Sequence, residues 1–250
     1  MAEKFSHEKI LQNLAEIREN VRAAAESAGR SESDVKILAA TKTVDAETIN
    51  FAIASGVKYI GENRVQELLE KYDKLDRDNV EIHFIGRLQT NKVKYIIDKV
   101  KMIHSVDSLR LAKEIDRQAK KHSLVMDVLV EINVAGEESK GGVGFDEDAI
   151  CEMLCEISKL ENVRVVGLMT IPPICEDDAN INELDDSSKK VYKNGKYFEK
   201  ISKLFIDISD KKLDNIYMYE LSMGMSDDYE SAVAHGATYV RLGRSIFGDR

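Results

Sequence analysis

The run VKILAATKT, residues 35–43, decides how the chain is read. It is short, apolar and closed by polar residues, the pattern of a strand. Along an extended backbone successive side chains alternate, so Lys36, Leu38, Ala40 and Lys42 share one face and the odd positions the other. Seven more runs of this kind follow: VKYIGE from Val57, EIHFIG from Glu81, MIHSV from Met102, MDVLVEINV from Met126, VRVVGLMTI from Val163, IYMYELS from Ile216 and ATYVRLG from Ala237. The first four begin at intervals of 22, 24 and 21 residues, room for one strand and one helix each.

The helical patterns lie between them, as Ile49/Ala52/Ile53, Val65/Leu68/Leu69/Tyr72, Leu111/Ala112/Ile115/Ala119 and Ile150/Met153/Leu154/Ile157. Asn63 followed by Gln66 predicts a capping box for the second. Before the first strand, Ile10, Leu14, Ile17, Val21, Ala24 and Ala28 form the stripe of an extra N-terminal helix, with Ser6 to cap it and Gly29 to end it. Alternating strands and helices pair in parallel through right-handed crossovers. Eight such units in 250 residues predict an α/β fold, a closed (β/α)8 TIM barrel occupying residues 1–250 as a single domain. The competing doubly wound sheet more often uses five or six strands and leaves part of the chain unaccounted for. Residues 174–195, ICEDDANINELDDSSKKVYKNG, break the rhythm as a long acidic excursion. A solvated insertion is favoured there over a functional lid.

Composition narrows the function. Hydrophobic residues make up 43% and charged residues 32%, enough to bury a core, and the net charge is -9. That acidity argues against nucleic acid or a membrane surface as partner, since both are polyanionic. Lys92, Lys94, Lys99 and Lys101 are interleaved with apolar residues and read as one solvated helical side. The opening MAEKFSHEK lacks a signal-peptide core, and no run reaches transmembrane length. Three cysteines predict a reducing compartment, by default the cytoplasm, and no disulfide framework. Cys151 and Cys155 stand four apart on a predicted helix without a third ligand, and Cys175 lies in the excursion, so buried thiols and no metal are expected.

With Leu38 and Ala40 filling the barrel, Lys42 projects at the carboxyl end of the first strand, where barrel active sites are built. Desolvation there would favour the neutral amine, the form that attacks an aldehyde. Taken alone, a strand-end lysine more often snorkels to water. Closure of the barrel brings the eighth predicted strand beside the first, and the seventh beside the eighth. These two run into LSMGMSDD (221–228) and RLGRSIFG (241–248), with Gly224 or Gly243 for close approach and a hydroxyl from Ser222, Ser226 or Ser245. The loops after strands seven and eight are this fold's common phosphate site. An aldehyde-reactive amine beside a phosphate cradle is what pyridoxal 5′-phosphate (PLP) requires. Arg241, two residues before Gly243, ends the inward face of the last strand. Facing the pyridine nitrogen, its guanidinium would keep that nitrogen unprotonated and weaken the ring as an electron sink. A rim salt bridge is an equal reading of Arg241.

LAATKT around Lys42, IGENRVQE (60–67), HFIGRLQTNK (83–92), GLMTI (167–171), LSMGMSDD and VRLGRSIFG (240–248) together resemble the pyridoxal phosphate homeostasis proteins, relatives of the barrel domain of alanine racemase. The likeness covers nearly the whole chain and implies a barrel of the alanine racemase N-terminal-domain type. It implies that Lys42 carries PLP as a Schiff base, that Arg241 faces the pyridine nitrogen, that Ser222 with the Gly243 and Arg244 backbone holds the phosphate, and that Asn63 lines the pocket. Many relatives have threonine or serine where Arg244 stands, which leaves one phosphate hydroxyl contact missing or supplied by Ser245. The acidic excursion is also longer than the resemblance implies.

Two functions compete. One is a PLP carrier or buffer in intracellular homeostasis, supplying apo PLP-dependent enzymes. The other is a PLP-dependent amino-acid racemase of weak activity. Racemisation needs an acid–base group on each face of the substrate. Lys42 serves one face only, and the racemase's opposing tyrosine belongs to a separate all-β domain that a chain stopping at Arg250 lacks. The carrier is therefore expected, as a monomer without robust catalysis, unless His83 or Tyr59 substitutes for that tyrosine. A class I aldolase is a third reading. His83 and His104 are expected to be packed strand histidines, Met223 and Met225 packing residues, and Thr41 and Thr43 servants of the strand end and the next helix start.

Overall fold

The computed structural model describes residues 6–136, 141–173 and 194–248. All eight runs form strands: β1 (Lys36–Ala40), β2 (Tyr59–Glu62), β3 (Glu81–Phe84), β4 (Met102–Val106), β5 (Met126–Asn133), β7 (Val163–Thr170), β8 (Ile216–Ser222) and β9 (Tyr239–Leu242). A two-residue strand, β6 (Val143–Gly144), sits beside the end of β5 and has no signal in the sequence pattern. The pairing is parallel throughout and runs β1-β2-β3-β4-β5-β7-β8-β9, with β9 returning to β1, so the sheet closes as an eight-stranded barrel.

Two apolar layers hold it. Leu38, Ala40, Ile85, Met102, Leu129, Val166, Met169 and Tyr239 fill the interior, with Leu38 and Ala40 on the face that alternation assigns them. The outward face of the strands, Ala39 and Ile60 among it, packs against the helices. Each fully buried aliphatic side chain contributes about 1.5–3 kcal/mol. At Gly167 the backbone of β7 passes so close to β8 that an added Cβ would lie 1.7 Å from the Glu220 carbonyl oxygen. The register shifts at that crossing, so Glu220 is turned to the interior beside Lys36.

The helices are α1 (His7–Ser27), α2 (Ala46–Ala54), α3 (Val65–Lys71), α4 (Leu109–Lys121), α5 (Glu147–Ile157), α6 (Gly195–Asp210), α7 (Tyr229–Ala234) and α8 (Arg244–Phe247). In α1, Ser6 accepts from the Lys9 N–H at 3.4 Å, and Ile10, Leu14, Ile17, Val21 and Ala24 are buried. Ala25 is buried in place of Ala28, because the chain reverses at Gly29 (φ 69°) and lifts Ala28 into solvent. Asn13 donates to the Ile246 carbonyl at 2.9 Å and Asn20 to the Tyr229 hydroxyl at 2.9 Å, which pins α1 against α8 and α7.

Two local expectations change. The Asn63–Gln66 capping box does not form: α3 starts at Val65 with Arg64 as its extended N-cap, and Gln66 donates to Glu70 instead. Between β3 and β4 there is a 3-10 stretch, Thr90–Tyr95, rather than an α-helix, so the four lysines named above do not share one helical side. Thr90 and Asn91 are poor helix formers, and Val93, Ile96 and Ile97 are already buried by that tighter turn. Residues 174–193 of the acidic excursion lie outside the described residues.

Candidate functional site

The carboxyl ends of β1, β8 and β9 meet at one rim. Leu38 stands level with Arg241 and Ala39 with Leu242, so one further step brings Ala40 level with Gly243. On the other side of β9, Tyr239 is level with Ser222. Lys42 follows Thr41 in a turn with Thr43, whose φ is 62°. Lys42 follows the strand end at the expected rim, but it is not buried there. The turn lifts Lys42 out of the strand, and the residue is exposed.

The turn itself is held from below. Thr41 is buried, donating from its N–H to the Gly61 carbonyl at 3.0 Å and from its hydroxyl to Glu62 Oε1 at 2.6 Å. Lys71 on α3 donates to the Thr41 carbonyl at 2.9 Å and to Glu62 Oε1 at 3.0 Å, and the Thr43 N–H donates to Glu67 at 2.8 Å. The residues on either side of Lys42, Thr41 and Thr43, are thus tied to β2 and α3. Burial pushes the Glu62 carboxyl up, against the pull of Thr41 and Lys71. Thr43 does not start α2; Asp45 does, accepting from the Thr48 N–H at 2.9 Å.

Inside the mouth, Arg241 is buried and donates to Ser222 Oγ at 2.7 Å and to the Thr170 carbonyl at 2.9 Å. Burial lowers its guanidinium to about 10, still protonated at neutral pH. Ser222 Oγ also lies 3.0 Å from His104 Nδ1, and His104 Nε2 lies 2.9 Å from His83 Nδ1. Both histidines are fully buried, which lowers both, His104 well below the usual imidazole value. They are packed and hydrogen-bonded, as the strand pattern suggests. The Tyr59 and Tyr239 rings meet His83 edge-on at 5.9 and 5.4 Å.

The two loops are coupled. The Ser245 N–H donates to Ser226 Oγ at 3.2 Å, and buried Asp228 accepts from the Met225 N–H at 2.7 Å. Gly243 precedes α8, whose first residue Arg244 points its side chain outward to an ion pair with Asp227. Asn63, half-buried just beyond β2, is held by a close approach of Gly86: a Cβ there would sit 2.1 Å from the Asn63 carbonyl oxygen. The structure therefore brings Lys42, Ser222, Arg241 and Gly243 to one rim. It leaves the Arg244 side chain outside and places Asn63 two strands from Arg241, across β1.

Sequence reasoning missed several residues here. Glu131 on β5 is half-buried, its carboxyl pushed up by burial and drawn down by Arg241; two-residue alternation from interior Leu129 would have found it. Glu62 and Glu67 lie in the quoted IGENRVQE motif, but their partner Lys71 carries no signal of its own. The cysteines also differ from expectation: α5 turns Ile150, Leu154 and Ile157 inward, leaving Cys151 half-buried and Cys155 exposed. Met223 is buried in packing, whereas Met225 is 38% exposed. Among the described residues no group of three or more His, Cys, Asp or Glu is placed to hold a metal ion.

Residues 12–250 match the family model for the alanine racemase N-terminal domain, which defines the class of barrel. A pyridoxal phosphate homeostasis protein of Aquifex aeolicus is 44% identical over 239 residues, 96% of this chain and 97% of that one. The Escherichia coli K12 protein of the same name is 34% identical, over 96% and 97% of the two chains. PipY of Synechococcus elongatus, solved with PLP bound, is 29% identical with a TM-score of 0.78, covering 96% of this chain and all of that one. Within the alanine racemase-like class, this chain belongs to the pyridoxal phosphate homeostasis protein family.

Proposed function

We propose that this protein binds PLP at the barrel mouth, covalently through Lys42, and serves PLP homeostasis as a carrier or buffer rather than as a catalyst. The observation that carries this reading is the convergence of an exposed amine with a buried Arg241–Ser222 pair at one rim. The donor set fits the cofactor: a primary amine, a permanently charged guanidinium, a hydroxyl and loop N–H groups beside glycine. When bound, PLP supplies an aldehyde that condenses reversibly with an amine. Lys42, being exposed, offers that amine where incoming amines also reach it. Arg241 cannot surrender a proton, so it serves the ring nitrogen as a donor only. Ser222 and the Gly243 and Arg244 N–H groups are assigned to the phosphate, and Asn63 to the pocket wall.

The PLP bound to PipY and the names of the relatives support the same reading. Against a racemase stands the position of the two groups that would replace its second base. His83 is fully buried beneath His104 and Ser222, and Tyr59 packs on His83 and Tyr239 in the interior. Neither reaches the rim. A cytoplasmic monomer that supplies apo PLP-dependent enzymes completes the proposal.

The test is spectral and covalent. The purified protein, supplied with PLP, is expected to be yellow and bleached by borohydride, with the pyridoxyl mass on Lys42; Lys42→Ala should lose the colour. A protein that takes up no PLP overturns the binding site. Racemase or decarboxylase turnover near the ordinary enzyme range of about 1 per second or more overturns the carrier.

A further inference from the structure

A single hydrogen-bonded file crosses the barrel from mouth to floor. It runs from Arg241 through Ser222, His104 and His83, at 2.7, 3.0 and 2.9 Å, and ends with His83 Nε2 3.6 Å from Glu81 Oε2. The first four residues are buried, while the Glu81 side chain is 51% exposed at the opposite end of the barrel. His83 Nε2 has no hydrogen-bond partner among the described residues, since 3.6 Å exceeds a bond.

The direction of the file is dictated by chemistry. Arg241 only donates, so Ser222 Oγ accepts from it. If Ser222 gives its one hydrogen to His104 Nδ1, His104 donates from Nε2 to His83 Nδ1, and the His83 Nε2–H points at the Glu81 carboxylate. The opposite polarity would aim a lone pair of His83 at that carboxylate. Both rings are then neutral with the proton on Nε2.

A phosphate dianion accepts hydrogen bonds and donates none. In that polarity Ser222 has committed its hydrogen to His104. The geometry points to a proton relay: when Ser222 engages a phosphate dianion, one proton is taken up and the file shifts by one bond, leaving the extra proton on His83 against Glu81. The balance is simple. Ser222 passes its hydrogen to His104 Nδ1 and receives the incoming proton, which it donates to the phosphate. His104 passes its Nε2 proton to His83 Nδ1. His83 becomes a cation with both nitrogens protonated, and no electron changes hands. His83, His104 and Glu81 are thus positioning residues for the phosphate end, reaching it through Ser222.

Burial opposes a charge on either ring, but between the two the neighbouring charges favour His83. It faces Glu81 on its own strand, Glu220 on β8, Lys36 on β1 and neutral His104 on β4. Lys36 opposes the charge but is itself paired with Glu220. His104 instead faces His83 and the Arg241 cation, which disfavour a charge there.

This inference rests on Ser222 being a phosphate ligand, and pyridoxine 5′-phosphate separates the two claims. That probe keeps the ring and phosphate but has no aldehyde to react with Lys42. Imidazole 15N spectra of the free protein should show both rings protonated at Nε2 only. With the probe bound, His104 should carry its proton on Nδ1 and His83 on both nitrogens. Calorimetry in buffers of different ionisation enthalpy should report uptake of about one proton per probe bound, with affinity falling about tenfold per pH unit over the range in which that uptake is measured. In Glu81→Gln, at an exposed position that leaves the fold intact, uptake should drop below about half a proton. Binding without uptake, or with unchanged rings, overturns the relay and leaves the cofactor site standing. Failure of both the probe and PLP to bind overturns the site and the relay together.

Discussion

Lys71 donates to the carbonyl oxygen of Thr41 at 2.9 Å, so helix α3 holds the residue immediately before Lys42. The same ammonium is the counter-charge of Glu62, which is wholly buried and has its second oxygen unpartnered among the described residues. Removing one member of such a pair leaves the other stranded in a poor solvent for charge. Lys71→Met is expected to cost about 3 kcal/mol in urea unfolding and to weaken PLP binding by loosening the turn. The double variant with Glu62→Gln should recover most of the stability; equal loss in both would show that the pair is not the cause.

Gly86→Ala is expected to damage the site more than its size suggests. The added Cβ would meet the Asn63 carbonyl oxygen at 2.1 Å and its Cα at 2.6 Å, and neither backbone atom can rotate away. A cost of about 2–3 kcal/mol in thermal unfolding follows from overpacking, with reduced PLP affinity as the end of β2 shifts. Unchanged affinity alongside lost stability would remove Asn63 from the pocket wall.

Arg244 provides a contrast. Its side chain is 56% exposed and its ion pair with Asp227 lies on the surface. Arg244→Ala should change stability by no more than about 0.5 kcal/mol. If only its backbone N–H serves the phosphate, PLP affinity should move less than about twofold. A tenfold loss on titration would put the guanidinium itself on the ligand.

The buried histidines make stability depend on pH. His83 and His104 are lowered in the folded state, so below the ordinary imidazole value the unfolded chain binds more protons. Their contribution is complete above about pH 6.5 and declines as pH falls below it, by up to about 1.4 kcal/mol per unit for each ring. Glu62 and Glu131 are raised and act in the opposite sense. The readout is therefore the difference between the native protein and His104→Gln, by urea unfolding at pH 7.5 and 5.5. The native protein should lose more of its stability on acidification.

The strands were legible because alternation and burial are local: Leu38 and Ala40 face inward as their spacing requires. Ser222 and Arg241 were legible because neighbouring parallel strands end at the same rim. Their direct bond was not, since it depends on Tyr239 standing level with Ser222. The exposure of Lys42 was hidden for another reason. Two-residue alternation extrapolates a strand past Ala40, whereas the backbone turns at Lys42 and Thr43, and nothing in ATKT announces it. The failed Asn63 cap has the same origin, a motif placed one residue outside the helix that forms.

The clasp of α1 upon α7 and α8 has a consequence for biogenesis. Translation produces α1 and β1 early, yet their neighbours across the seam, β9 and α8, follow about 200 residues later in the sequence. Until they emerge, the greasy stripe of the first helix has no cover and the ring has a gap at the rim proposed to hold the vitamin. Nascent chains stalled before Tyr239 should therefore bind chaperones and hold no PLP, which ties cofactor loading to the last step of assembly.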